Sequence, residues 1–164
     1  MEPQKQTPTK TPTSAQPAPK REVTATLAHL LGETYALYFQ TQSFHWNVRG
    51  PQFFSLHRMF EAQYEDLAGA VDRLAERIRA LGALAPSSLA ELLRAGGLPL
   101  EHGAPPARSM VETLLRGHER IGHAMRDGAA RAQQQGDTVT HDLLSDRAFH
   151  HDKAAWMLRA TLEE

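Results

Sequence analysis

The sequence predicts an all-α fold: a bundle of four long helices with a short fifth helix in the longest connection. Three observations carry that expectation. Apolar side chains recur at spacings of three and four residues over four stretches, each roughly 20 to 30 residues long, the stripe of an amphipathic helix. Gly50-Pro51, Gly82, Gly96-Gly97 and Gly136 fall between those stretches as stops. No convincing strand pattern occurs anywhere in the chain.

Residues 1–22 stand apart as a tail. The first 21 hold five of the ten prolines and no large apolar side chain beyond Met1, too little to offset the entropy of ordering them. The bundle is expected over 23–164. Its first helix carries Leu27, Leu31, Thr34, Tyr38, Thr41 and His45 on its inward stripe and ends at Gly50-Pro51. The second spans about 53–81, with Leu56, Phe60, Tyr64, Leu67, Val71, Leu74 and Ile78 as its apolar set and Gly82 as its C-terminal stop. The connection over 83–106 is too long for a bare loop, and Ser87-Ser88 followed by Leu89-Ala90-Glu91-Leu92-Leu93-Arg94 reads as a short capped helix within it. A third long helix over about 108–135 turns Met110, Leu114, Ile121 and Met125 inward. Asp137 or Thr138 caps the fourth, which runs to about 162 through Leu144, Trp156 and Leu158. A crossover of this length lets the second and third long helices run parallel.

Composition removes several classes of function. A net charge of −1 gives no bulk electrostatic reason for a nucleic-acid or membrane partner. With no cysteine there is no disulfide, thiolate metal site or cysteine nucleophile. No run approaches membrane-spanning length and the N-terminus lacks the apolar core of a secretory signal, so a cytoplasmic location is expected.

The chemistry concentrates on the second helix. His57, Glu61, Asp72 and Glu76 fall within one quadrant of its surface at about 100° per residue, yet His57 and Asp72 are about 22 Å apart along the axis. One helix cannot close them on a single ion. A second copy laid antiparallel across a two-fold axis near residues 66–67 brings His57 to Glu76 and Glu61 to Asp72 of the other chain. Taken singly, each acid reads as a solvated helix charge and His57 as a surface group pairing with Glu61. Together they favour a metal, because Asp72 and Glu76 at i, i+4 repel unless a cation lies between them. His45, twelve residues before His57 and across one tight turn, joins it. Alone it would read as a satisfied core histidine. The minimal shared site is then His45 and His57 from one chain with Asp72 and Glu76 from the other, Glu61 serving a second, weaker ion or a water bridge. Imidazole and carboxylate without thiolate suit iron, manganese or zinc.

At these residues the chain resembles a known family. Phe44-His45-Trp46-Asn47-Val48-Arg49-Gly50-Pro51 followed by Phe53-Phe54 and Leu56-His57 is similar to the signature of the Dps proteins, the miniferritins or starvation-induced DNA-protection proteins. Phe60-Glu61, Tyr64, Val71-Asp72 and Ala75-Glu76-Arg77-Ile78 resemble its second block, and Asp152-Lys153-Ala154-Ala155-Trp156-Met157-Leu158 its last helix. The similarity covers about 25–162. It implies a ferritin-like four-helix subunit assembled from two-fold dimers into a hollow dodecamer of tetrahedral symmetry. It also implies a ferroxidase that oxidises Fe(II), preferentially with hydrogen peroxide, and stores the ferric mineral inside. The family's ligands fall on His45, His57, Glu61, Asp72 and Glu76. The family often has Asp where Glu61 stands, which bears on the second ion.

The same resemblance places Trp46 beside the site, where it would quench stray oxidising equivalents. It also gives Asp142 and Asp146 to three-fold pores that steer Fe(II) inward. His150, His151 and Asp152 lie further along and suit the exit or inner wall, or else a solvated or core-facing helix stripe. Zinc or manganese would substitute for iron. DNA binding would rest on Lys5, Lys10, Lys20 and Arg21, feeble per tail and salt-sensitive, though summed over twelve tails and compatible with association with the nucleoid. The alternative reading is a non-catalytic DNA-condensing coat with a structural interfacial metal. His29, His102, His118, His123 and His141 have no partner at ligand spacing and read as structural or surface groups.

Overall fold

A computed structural model describes residues 18–97 and 99–163, and among these it contains five helices and no strand: α1 (Ala18–Asn47), α2 (Phe53–Ala80), α3 (Leu89–Gly96), α4 (Ala107–Gln134) and α5 (Thr138–Leu162). The four long helices and the short one in the crossover are those the apolar periodicity predicts. α1 begins at Ala18, ahead of the expected start at residue 23, so Lys20 and Arg21 stand exposed on its first turns. Lys5 and Lys10 lie outside the described residues. None of the helices is long and apolar enough to cross a membrane.

Side-chain pairings fix the topology. Along α2, Met59, Asp66, Arg73 and Arg77 meet Thr161, Arg147, Asp146 and Thr140 of α5 in reverse order, so these helices are antiparallel. Glu119 to Arg159 and Arg126 to Asp152 make α4 and α5 antiparallel as well. α2 and α4 therefore run parallel, as the long crossover requires. α2 and α5 approach each other least among the packed helix pairs.

The core follows the apolar stripes. Leu27, Leu31, Phe44, Leu56, Phe60, Leu67, Leu74, Ile78, Met110, Leu114, Ile121, Met125, Leu144 and Leu158 are buried together. On α2 the inward face is completed by Gln63 and Ala70, while Tyr64 and Val71 sit at its edge. Trp156 is 62% exposed. At 100° per residue it lies about 120° from Leu144, off the stripe formed by Leu144, His151 and Leu158.

The crossover helix is capped as its sequence predicts, with Ser88 Oγ accepting from Glu91 N at 3.2 Å. α3 lies so close to α1 that a Cβ on Gly32 would overlap the backbone of Leu92 and Gly96. Only glycine at both positions permits that approach.

Candidate metal centre

The turn between α1 and α2 builds the first half of the site. Val48 N donates to Phe44 O at 2.8 Å and Phe53 N to Gly50 O at 3.0 Å. Gly50 adopts φ 109°, which side-chain-bearing residues rarely take. Five residues thus reverse the chain and set the last turn of α1 beside the first of α2.

There His45 and His57 stack, with ring centroids 3.8 Å apart and planes 19° from parallel. Their hydrogen bonds are reciprocal. His45 Nδ1 lies 2.8 Å from the His57 carbonyl and His57 Nδ1 lies 2.8 Å from the His45 carbonyl. A carbonyl only accepts, so each Nδ1 carries a proton and donates, and in the neutral ring the lone pair is on Nε2. This is how a backbone carbonyl fixes the tautomer and orientation of a metal-binding imidazole. Tyr64 meets His45 edge-on at 5.2 Å, and Phe53 stacks on His57 at 5.1 Å.

The acids occupy the other end of α2. Asp72 and Glu76 are exposed and make no ion pair or hydrogen bond among the described residues. Glu61 differs, since Arg58 Nη1 holds its carboxylate at 2.7 Å. Among the described residues, no three His, Asp or Glu groups of one chain converge to hold a metal ion. A chain thus presents two separated halves, paired imidazoles and unpaired carboxylates, about 22 Å apart along α2. Trp46, 60% exposed, lies with exposed Phe53 and Phe54 at the imidazole end, an apolar surface flanking the first half.

The two aspartates proposed for a pore are not equivalent. Asp142 is exposed and unpaired among the described residues, whereas Arg73 Nη1 holds Asp146 at 2.8 Å. Both line one surface groove of about 570 Å3 together with Glu76, Arg73 and Arg77. Asp152 is bound by Arg126 at 2.8 and 2.9 Å, and His150 sits 3.0 Å from Asp66. His151 is not on any wall. It is 1% exposed, inside the bundle.

There it meets His118, also buried, with the two Nδ1 atoms 3.0 Å apart. His118 was expected to be structural or surface, and His151 a wall or stripe residue. Their pairing was missed because they belong to different helices, although both fall on the inward stripes of α4 and α5. Beside them Arg147, 3% exposed, binds Asp66 through two bonds of 3.1 and 2.6 Å. Burial pushes the Asp66 carboxyl up, but its hydrogen bonds to Arg147 and the charges of Arg147, His150 and His118 outweigh that and hold it below its ordinary range. Desolvation drives His118 down to about 4, helped by Arg147 and opposed by Asp66. Desolvation, then His118, Arg147 and His150, depresses His151 strongly too, so both rings are neutral near pH 7.

The chain matches the ferritin-like domain family over residues 24–164. It is 33% identical over 144 residues to DNA protection during starvation protein 2 of Bacillus anthracis, covering 88% of this chain and 99% of that one. It is 37% identical to an uncharacterised low temperature-induced protein of Nostoc, over 81% of this chain and 75% of the relative. Among solved structures it superposes on the Dps protein of Vibrio cholerae, described as a member of a broad superfamily of ferritin-like diiron-carboxylate proteins. That match has a TM-score of 0.87 and 31% identity, covering 93% of this chain and all of that one. The Dps of Thermosynechococcus elongatus matches with a TM-score of 0.86 and 29% identity over 89% and 93% of the two chains. With a Dps-type helix order and a ferritin-like domain covering nearly the whole bundle, this chain belongs to the Dps family of ferritin-like proteins.

Proposed function

We propose that the protein is a ferroxidase and iron-storage miniferritin whose catalytic site is completed only when two chains pair. The observation that carries this reading is the reciprocal lock between His45 and His57. It assigns the proton of each neutral ring to Nδ1 and leaves Nε2 as the free donor atom near the start of α2, while Asp72 and Glu76 have no partner among the described residues toward the other end. Antiparallel pairing across residues 66–67 joins the two halves into two identical sites per dimer. The exposed Trp46, Phe53 and Phe54 give such a contact its apolar area.

Fe(II) is the substrate. The two imidazoles and two carboxylates hold it while leaving positions open for an oxidant, and two negative charges favour Fe(III) over Fe(II). Glu61 serves a second, weaker ion once released from Arg58. Peroxide as co-substrate balances as two Fe(II), one H2O2 and two protons giving two Fe(III) and two waters, so no hydroxyl radical is left over. Trp46 beside the imidazoles would absorb a stray oxidising equivalent. The groove shared by Asp142, Asp146 and Glu76 is a short approach for cations to the acidic half, with Arg73 moderating its charge. The cage is a dodecamer with mineral inside, and any DNA contact is weak and salt-sensitive, because it rests on four cations per chain, Lys5, Lys10, Lys20 and Arg21.

The test is anaerobic Fe(II) oxidation on adding hydrogen peroxide. Wild type should consume about two Fe(II) per peroxide rapidly, and Asp72→Ala/Glu76→Ala should lose the fast phase. Mixing that variant with His45→Ala/His57→Ala should restore activity, since a heterodimer regains one of its two sites. Absence of complementation would refute the shared site.

A further inference from the structure

The seam between α2 and α5, where those helices approach each other least, opens into a cavity of about 370 Å3. Met59, Met157, Gln63, His118 and His150 line it, and Asp66 and Lys153 contribute its charges. His118 is 3% exposed; its Nδ1 is engaged by His151, and its Nε2 has no partner. Both amide atoms of buried Gln63 lack partners as well. Buried polar atoms left unpaired in this way imply something that occupies the space between them.

We propose that this cavity is a second metal site, contained within one subunit, which takes the soft monovalent cation Cu(I) on His118 Nε2 and the thioether sulfurs of Met59 and Met157. The donor set decides the ion. Thioether sulfur binds Fe(II), Mn(II) and Mg(II) poorly and selects Cu(I), which imidazole also accommodates. The imidazole is prepared for it. Burial keeps His118 unprotonated near pH 7, and in the tautomer where its Nδ1 donates across the 3.0 Å contact to His151 Nδ1, which Cu(I) would select, the lone pair lies on Nε2. Charge excludes the harder ions. Exposed Lys153 lines the cavity, and buried Arg147 lies behind it bound to the carboxylate of Asp66, which is also close to His150. A divalent ion meets twice the repulsion of a monovalent one from those cations. Methionine side chains, unbranched and with three rotatable bonds, can swing to converge on an ion at a seam this loosely packed.

The site differs chemically from the interfacial one, which contains no sulfur. The chain has no cysteine, so any sulfur bound to copper must come from methionine. The test is anaerobic titration of the full-length assembled protein with Cu(I) against a competing Cu(I) chelator, followed by copper K-edge X-ray absorption. One Cu(I) per chain with nitrogen and sulfur scatterers is expected. The volume-conserving Met59→Leu/Met157→Leu variant should lose the sulfur signal and at least about tenfold in affinity, with an unchanged melting temperature. His118→Leu should weaken binding similarly. Copper with only nitrogen and oxygen neighbours, or the same affinity and spectrum in the methionine variant, would overturn the proposal.

Discussion

Acid should destabilise this protein through His118, and the size of the effect follows from its burial. The group is displaced from an ordinary 6.5 to about 4. In the unfolded chain it takes up a proton near pH 6.5, but in the folded chain only near pH 4. Between those values the unfolded state binds more protons, so stability falls as pH falls. Each pH unit of displacement is worth about 1.4 kcal/mol, giving a full loss of about 3 kcal/mol, of which about 2 is already spent between pH 7 and pH 4.5. Above pH 6.5 the group contributes no slope. Besides burial, Arg147 resists its protonation and Asp66 favours it. The perturbation is His118→Leu, compared with wild type by urea unfolding at fixed protomer concentration from pH 7 to pH 4.5. The variant should lose about 2 kcal/mol less than wild type over that interval. Parallel curves would show that His118 is not held neutral by burial and would refute the reasoning.

Two further outcomes follow from the packing. Asp66→Asn leaves the Arg147 guanidinium buried without its carboxylate and should cost about 2 kcal/mol after allowing for the partial exposure of Asp66; adding Arg147→Met should recover most of it, read from urea midpoints. Gly32→Ala places a methyl group into the α3 backbone and should cost about 2 kcal/mol, with faster amide exchange across residues 89–96, and an unchanged melting temperature would contradict the close approach of α1 and α3.

Much of this molecule was legible in one dimension because its determinants are local. Helix periodicity, the Gly50-Pro51 turn and the Ser88 cap each act within a few residues, and the structure forms the helices they predict. The juxtaposition of His45 and His57 was also readable, since a tight turn between two helices leaves little freedom in where their adjoining ends lie. The start of α1 was set too late because proline-rich composition argued for a tail, while Ala18 onward is helical.

By itself the sequence determined the helices, their inward faces and the residue types available for metal chemistry, since these depend on spacing along one chain. Only the tertiary structure decided which carboxylates are free. Arg73 of α2 holds Asp146 of α5, while Asp72, Glu76 and Asp142 have no partner among the described residues. It alone also placed His118 against His151 and Asp66 against Arg147, pairs 33 and 81 residues apart. Such contacts depend on how helices rotate and stack against one another, and packing across the core, with no signal local to either residue, sets that arrangement.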